Sequence, residues 1–264
     1  MKRLVVISVY MFAVAAYAAT PLHERVDALI TEAAGELPFA EHTTDAEFIR
    51  RVYLDFAGTI PNAKEVRAFL AEPKRSDLID RLLADERFPA RMADAFHVML
   101  MERRGTDQEW REFLVASFRE DRPWDQIVRQ ILNPDFKNEQ LRGAGYFITK
   151  RLTKSGQQPT DYPGLTRDVG RLFMGVDLQC AQCHRHLTVK DYKQVEFNGL
   201  LNVFQNLKLQ RPNKEFKTAW VSENPMEKKY EFVSVFTDKR RETGPRIPFG
   251  KEFEIPKFEG KEKW

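Results

Sequence analysis

A mainly α fold is predicted: a compact multi-helix domain with an irregular C-terminal region carrying a few short β-strands. Three observations predict it. Apolar residues recur at three- and four-residue spacing in short segments between residues 24 and 204, the period of a helix that buries one face. Gly and Pro separate these segments closely, which favours antiparallel neighbours. After residue 210 the pattern changes to the alternating run Phe232-Val233-Ser234-Val235-Phe236, followed by Pro245, Pro248, Gly250, Pro256 and Gly260. Such a run suits a strand or hairpin arm, and the punctuation after it suits an irregular tail.

The elements follow in order. Val26, Leu29 and Ile30 share one face of an N-terminal helix, and residues 37–44, with Pro38, form a linker. Residues 45–56 read as a second helix with Phe48, Val52 and Phe56 directed inward. Gly58 ends it, and Asn62 with Glu65 forms a capping box for a third helix whose apolar side is Val66, Phe69 and Leu70. The next helix, over 75–83, carries Leu78, Ile79, Leu82 and Leu83. A methionine-rich helix over 88–104 and another over 107–119 come next, and Pro123 opens one over 124–132. Residues 149–161 read as an exposed loop, 165–173 as a helix running toward the cysteines, and 191–204 as the last helix. The tail is expected to lie over the helical body with two or three small strands.

Lys2 and Arg3 precede an apolar run from Leu4 to Ala16, and Ala16-Tyr17-Ala18 fits the small-x-small cleavage rule. Residues 1–18 therefore read as a signal peptide cut after Ala18, and the expected location is periplasmic or otherwise extracytoplasmic. A retained anchor would need a longer apolar segment, so membrane contact is expected only through an uncleaved signal peptide. The remaining divisions are 19–44, an N-terminal helix and linker; 45–210, a helical domain; and 211–264, an irregular extension packed on the same domain. About 245 mature residues suffice for one substantial core, and twenty Phe and four Trp supply its large apolar surfaces.

The formal charge is +3 with 31% charged residues. Blocks such as Lys150-Arg151-Leu152-Thr153-Lys154 and Lys239-Arg240-Arg241 lie among acidic residues and read as solvated surface, so nucleic acid is not an expected partner. There is no Gly-rich phosphate loop, no His-Glu-x-x-His and no Gly-x-Ser-x-Gly, and no enzyme class is assigned. Asp55, Asp94 and Asp168 are expected in caps and in ion pairs with Arg50, Arg51 and Arg167.

The chemistry concentrates in Cys180-Ala181-Gln182-Cys183-His184, which holds both cysteines and one of five histidines. This spacing is the one that covalent attachment of a c-type haem requires. Cys180 and Cys183 would add to the two vinyl groups, and His184 would reach the iron from one face. Phe173, Met174, Val176, Leu178, Leu187, Tyr192, Phe197, Leu200 and Phe204 would supply an apolar pocket. Met226, His97, Met99, Met101 and Met174 are the residues available as a sixth ligand, and each also suits ordinary packing. A zinc site would use Cys180, Cys183, His184 and His186, four ligands cramped within seven residues. A disulfide between Cys180 and Cys183 needs no cofactor and suits an exported chain. The leading expectation is one covalent haem c, electron transfer and a redox protein partner; the alternatives are a scaffold domain with the disulfide, or a small metal site that includes His184 and His186.

Three blocks resemble a known family, the planctomycete cytochrome-like secreted domain family catalogued as domain of unknown function 1549. Phe48-Ile49-Arg50-Arg51-Val52-Tyr53-Leu54-Asp55-Phe56-Ala57-Gly58-Thr59-Ile60-Pro61 is similar to its Arg-x-x-x-Leu-Asp-x-x-Gly-x-x-Pro block. Arg122-Pro123-Trp124-Asp125 resembles its Arg-Pro-Tyr/Trp-Asp helix start. The segment from Phe173 to His186 resembles its Phe-x-Gly-x-x-x-x-Cys-Ala-x-Cys-His-x-His, with Asp191-Tyr192 following as expected. Leu187 stands where the family has Pro, and Phe96 to Arg103 departs from its Trp-Leu-Asp-x-x-Arg-Tyr. The resemblance implies a site at Cys180–His186, and its name implies haem. The second imidazole, His186, would orient a ligand or bind metal.

Overall fold

A computed structural model describes residues 20–154, 156–157, 159–226 and 228–255. The signal-peptide reading, residues 1–18, lies outside the described residues. The chain divides into two compact units, Met1–Thr44 and Asp45–Trp264. In the first, α1 (Leu22–Ala34) ends at Gly35, whose φ of 58° lies in the left-handed region that glycine adopts without strain. Val26, Leu29 and Ile30 share a face as expected, yet no residue of α1 is buried.

The second unit is helical up to Phe204 and carries two small antiparallel sheets after it. Its first core is built by α2 (Asp45–Ala57), α3 (Ala63–Ala71) and α4 (Arg75–Leu83), around Ile49, Tyr53, Ala57, Phe69, Leu78 and Leu82. Phe48, Val52 and Phe56 are only half-buried. The inward face of α2 is thus rotated by one residue, roughly 100° of helix, from the one expected. Tyr53 wins the central place because its hydroxyl still finds a polar partner, the Arg81 guanidinium at 3.3 Å. The Asn62–Glu65 capping box at α3 forms in full: the Asn62 side chain accepts from the Glu65 N–H, and the Asn62 N–H donates to Glu65 at 2.6 Å.

The main core gathers α5 (Arg87–Met101), α6 (Gln108–Arg119), α7 (Trp124–Leu132), α8 (Tyr146–Leu152), α9 (Tyr162–Phe173) and α10 (Gln194–Phe204). Asp107 and Asp161 cap α6 and α9 by accepting backbone N–H groups, replacing partners that a first helical turn lacks. At Gly143 a Cβ would stand 2.1 Å from the Glu109 carbonyl oxygen, so only glycine lets the chain cross α6 there.

Two expectations fail in this region for one reason. The loop expected over 149–161 begins instead after α8, and Arg151, read as solvated surface, is buried. Its Nε donates to Asp168 at 2.8 Å, one terminal nitrogen to the Leu100 carbonyl at 2.7 Å and the other to the Phe147 carbonyl at 3.1 Å. The guanidinium also lies 3.6 Å above the Phe147 ring. Burial pushes it down to about 10, with Asp168 pulling it back up, so it stays charged at neutral pH. Asp168 does not pair with Arg167, because adjacent helical residues do not face each other. It meets Arg151, Arg104 at 2.9 Å and Arg171 at 3.6 Å.

Four strands, rather than two or three, follow among the described residues. β1 (Leu207–Gln210) pairs with β2 (Trp220–Glu223), and β3 (Tyr230–Ser234) pairs with β4 (Thr237–Thr243). The first strand starts before residue 211, so strand structure begins inside the segment read as helical. The tail crosses α10 closely. The Arg246 N–H donates to the Gly199 carbonyl at 3.2 Å, and a Cβ at Gly199 would stand 2.2 Å from the Arg246 side chain. No helix of the described residues is long and apolar enough to cross a membrane.

Without Arg151, Arg104 and Arg171 would still face Asp168. The buried Leu100 and Phe147 carbonyls would lose this donor, and an unsatisfied buried group costs about 1–3 kcal/mol. Arg151→Ala should therefore lower the urea midpoint strongly, while Arg171→Ala, at a half-exposed pair, should cost at most about 1 kcal/mol. Equal effects of the two substitutions in urea titrations would contradict this assignment.

Candidate cysteine–histidine centre

The turn that carries the cysteines is positioned from both sides. α9 stops at Phe173, Gly175 takes φ 65°, and the Val176 N–H returns to the Gly170 carbonyl at 2.9 Å. Val176 and Leu178 then enter the core, and Asp177 accepts the Gln179 N–H at 3.0 Å, which lifts the chain back to the surface. Cys180–Gln182 forms a single 3₁₀ turn, closed by N–H donors of Cys183 at 3.3 Å and His184 at 3.2 Å on the Cys180 carbonyl. Ala181 is buried beneath it and both sulfurs are exposed free thiols. Gln182 is held by Arg167 of α9.

The Cys183 carbonyl is the anchor. It accepts from the Gln194 side-chain amide at 2.9 Å and from the Val235 N–H at 3.1 Å. Gln194 is itself buried at the start of α10 and also reaches the Val233 carbonyl at 3.4 Å. The tip of the β3–β4 hairpin is thereby fastened onto the motif, and the Phe236 ring lies 4.9 Å from the His184 ring.

The two histidines are in opposite states. His184 Nδ1 stands 2.6 Å from the Arg185 carbonyl oxygen. A carbonyl can only accept, so Nδ1 carries a proton, and in the neutral ring the lone pair is on Nε2. His186 Nδ1 instead accepts from the Val189 N–H at 3.0 Å and the Thr188 N–H at 3.2 Å. Its lone pair is spent inside its own loop. That loop is closed further by the His186 N–H on the Tyr192 carbonyl at 2.8 Å and by an edge contact of the two rings at 5.7 Å.

Of the site residues expected from sequence, Cys180, Cys183 and His184 share one exposed turn, and His186 faces its own loop. Among the described residues no three His, Cys, Asp or Glu converge as a metal-binding group. Most of the expected pocket residues are committed elsewhere: Val176, Leu178, Phe197, Leu200 and Phe204 are core, while Leu187 is 79% exposed. The apolar side chains beside the turn are instead those of the hairpin: Val233 and Val235 line a cleft with Cys183, and Phe236 lies against His184. A cleft of about 530 Å³ opens beside Cys183, walled by Pro163, Phe197, Leu201, Phe232 and Val233. The expected sixth ligands scatter. His97 accepts from the Trp110 indole at 3.2 Å, and Met101 lies buried against Arg151. Met99 is exposed, Met174 caps α9, and Met226 sits half-buried between β2 and β3.

Sequence reasoning passed over Gln194 and Phe236. The first is one of four buried polar residues in α10, with Glu196, Asn198 and Asn202, and the second ends an alternating run at a hairpin tip, where an exposed aromatic needs a reason.

The fold and this centre define a class: a helical domain displaying a Cys-x-x-Cys-His turn with two free thiols and one imidazole tied through Nδ1 to a backbone carbonyl. The chain belongs to the family described as PSCyt2, protein of unknown function (DUF1549), whose model matches residues 25–209. That span includes the cysteine turn and ends before the β3–β4 hairpin. Comparison with curated proteins and with solved structures gives no match.

Two outcomes are expected. Nitrogen-15 NMR should find the Nδ1–H tautomer at His184 and the Nε2–H tautomer at His186; the same tautomer at both would break the distinction drawn above. The second concerns Glu252, which receives Lys229 at 2.9 Å and Arg246 at 3.0 Å beside the hairpin. The Lys229 ammonium, then Arg246 and the Gly244 backbone, hold its carboxyl down from 4.5 to about 2. A depressed carboxyl stabilises the fold above its unfolded value and loses that contribution as pH falls toward the folded one. Protection of the amides around 244–252, corrected for their intrinsic exchange rates, should therefore fall between pH about 4.5 and about 2, and that fall should vanish in Glu252→Gln.

Proposed function

We propose that Cys180 and Cys183 hold one covalent haem c, with His184 as its proximal ligand, in an electron-carrying protein that works outside the cytoplasm. The observation that carries this reading is the hydrogen bond at His184: Nδ1–H is tied to the Arg185 carbonyl, which in the neutral ring leaves the lone pair on Nε2, on the same turn as two free, exposed cysteines. A proximal histidine in a metal site is oriented in this way by a backbone acceptor on its other nitrogen. The residues fit the group in a second respect, since Val233 and Val235 beside Cys183 and Phe236 beside His184 give the turn apolar neighbours. When bound, the haem would supply a one-electron iron couple.

The chain's own contribution is to hold geometry. Gln194 and Val235 fix the Cys183 carbonyl, Ala181 anchors the turn from below, and Arg167 restrains Gln182. A redox protein partner would approach the exposed face of the same turn. The zinc alternative is disfavoured because His186 Nδ1 already accepts two N–H groups, which leaves too few ligands.

Expression with an intact haem-maturation system is expected to yield a Soret band and haem that stays with the chain on a denaturing gel. Cys180→Ala with Cys183→Ala should abolish the covalent haem. His184→Ala should keep the attachment and change the iron spectrum, and His186→Ala should leave the iron spectrum unchanged. Natively matured protein with no iron and with its two thiols joined as cystine would overturn the proposal in favour of a scaffold domain; zinc by elemental analysis would overturn it in favour of a metal site.

A further inference from the structure

The β3–β4 hairpin touches the cysteine turn at its tip, and the manner of that contact has a function of its own. Val235 is fixed by its N–H on the Cys183 carbonyl at 3.1 Å, and the Phe236 N–H is held by the Ser234 hydroxyl at 3.3 Å. These two bonds aim one side chain, Phe236, at one target, the His184 ring, at 4.9 Å between centroids and 42° between planes. Phe236 is 67% exposed, so burial does not account for a large aromatic at this position. The His184 ring has one polar restraint, at Nδ1. A single hydrogen bond fixes that nitrogen and leaves the ring free to rock about it; a second contact on its face removes that freedom.

We infer that Phe236 is a positioning residue for His184. It sets the imidazole plane, and with it the direction of the Nε2 lone pair, across a contact between two segments 52 residues apart in sequence. Ring pairs prefer tilted or offset arrangements, and the 42° between these two planes is such a tilt. The inference builds on the reading of His184 as an iron ligand, but the contact itself can be tested without iron.

The test compares Phe236→Ala and Phe236→Leu with Phe236→Tyr, which keeps the ring. In the full chain expressed without haem maturation, NMR of the His184 ring protons reads the contact directly. Loss of their ring-current shift and averaging of the side-chain rotamer are expected in the alanine and leucine variants, with the tyrosine variant like the parent. In the matured chain, the alanine variant should retain its covalent haem but show a shifted reduction potential and altered axial-ligand absorption, again rescued by tyrosine. Circular dichroism checks that each variant keeps its helices. Unchanged His184 signals in the alanine variant would overturn the positioning role. So would a parent-like potential and spectrum in the haem-loaded alanine variant. A parent chain that takes up no haem would remove the electron-carrier reading alone, and the ring-proton comparison would still decide what Phe236 does.

Discussion

The carbonyl oxygen of Cys183 joins three parts of the chain that sequence alone keeps apart. One lone pair takes the Gln194 amide from the start of α10, the other the Val235 N–H from the hairpin. A typical hydrogen bond contributes only about 1 kcal/mol net, so the importance of this pair lies in direction. An exposed one-turn segment has little burial of its own to fix it, since Ala181 is its only buried residue. Two donors from rigid elements on the same oxygen define where the turn sits and therefore where the two thiols point.

Beneath the turn, the rigidity of α9 depends on a buried guanidinium. Arg151 bonds the carbonyl of Leu100 on α5, the carbonyl of Phe147 on α8 and the carboxylate of Asp168 on α9. A charge in such a place is tolerated because each bond is charge-assisted, and such bonds are roughly twice as strong as neutral ones. The arrangement also explains why α9 can end in the open at Gly175 without loosening. Its middle is fixed by Asp168, its start is capped by Asp161, and Arg167 extends the same helix's hold to Gln182.

The helices were readable because each announces itself locally. Asn62 with Glu65, Pro123 before Trp124, and the leucine stripe of α4 are signals within one or two turns, and the elements formed there. The inward face of α2 was misjudged because Phe48 and Tyr53 are both apolar enough to face a core, and the Arg81 partner that favours Tyr53 lies 28 residues away. Arg151 sits in a basic block that looks solvated, and nothing nearby reveals one acceptor on α5, 51 residues back, and another on α9, 17 residues on. At the centre, the motif named Cys180, Cys183 and His184 from spacing alone. Gln194, Val235 and Phe236 were invisible as site residues, because what recruits them is a backbone carbonyl, and every residue has one.

His184 and His186 show why a motif is less than a site. They are the same residue type two positions apart, both bonded to local backbone through Nδ1, yet in different tautomers. The difference comes from what each backbone offers: Arg185 turns a carbonyl toward His184, whereas the 186–189 turn points two N–H groups at His186. A ring facing an acceptor must donate, and a ring facing donors must accept. Counting histidines along the chain gives two equivalent rings here; the backbone each one meets makes them chemically distinct, because in the neutral rings the proton sits on Nδ1 of His184 and on Nε2 of His186.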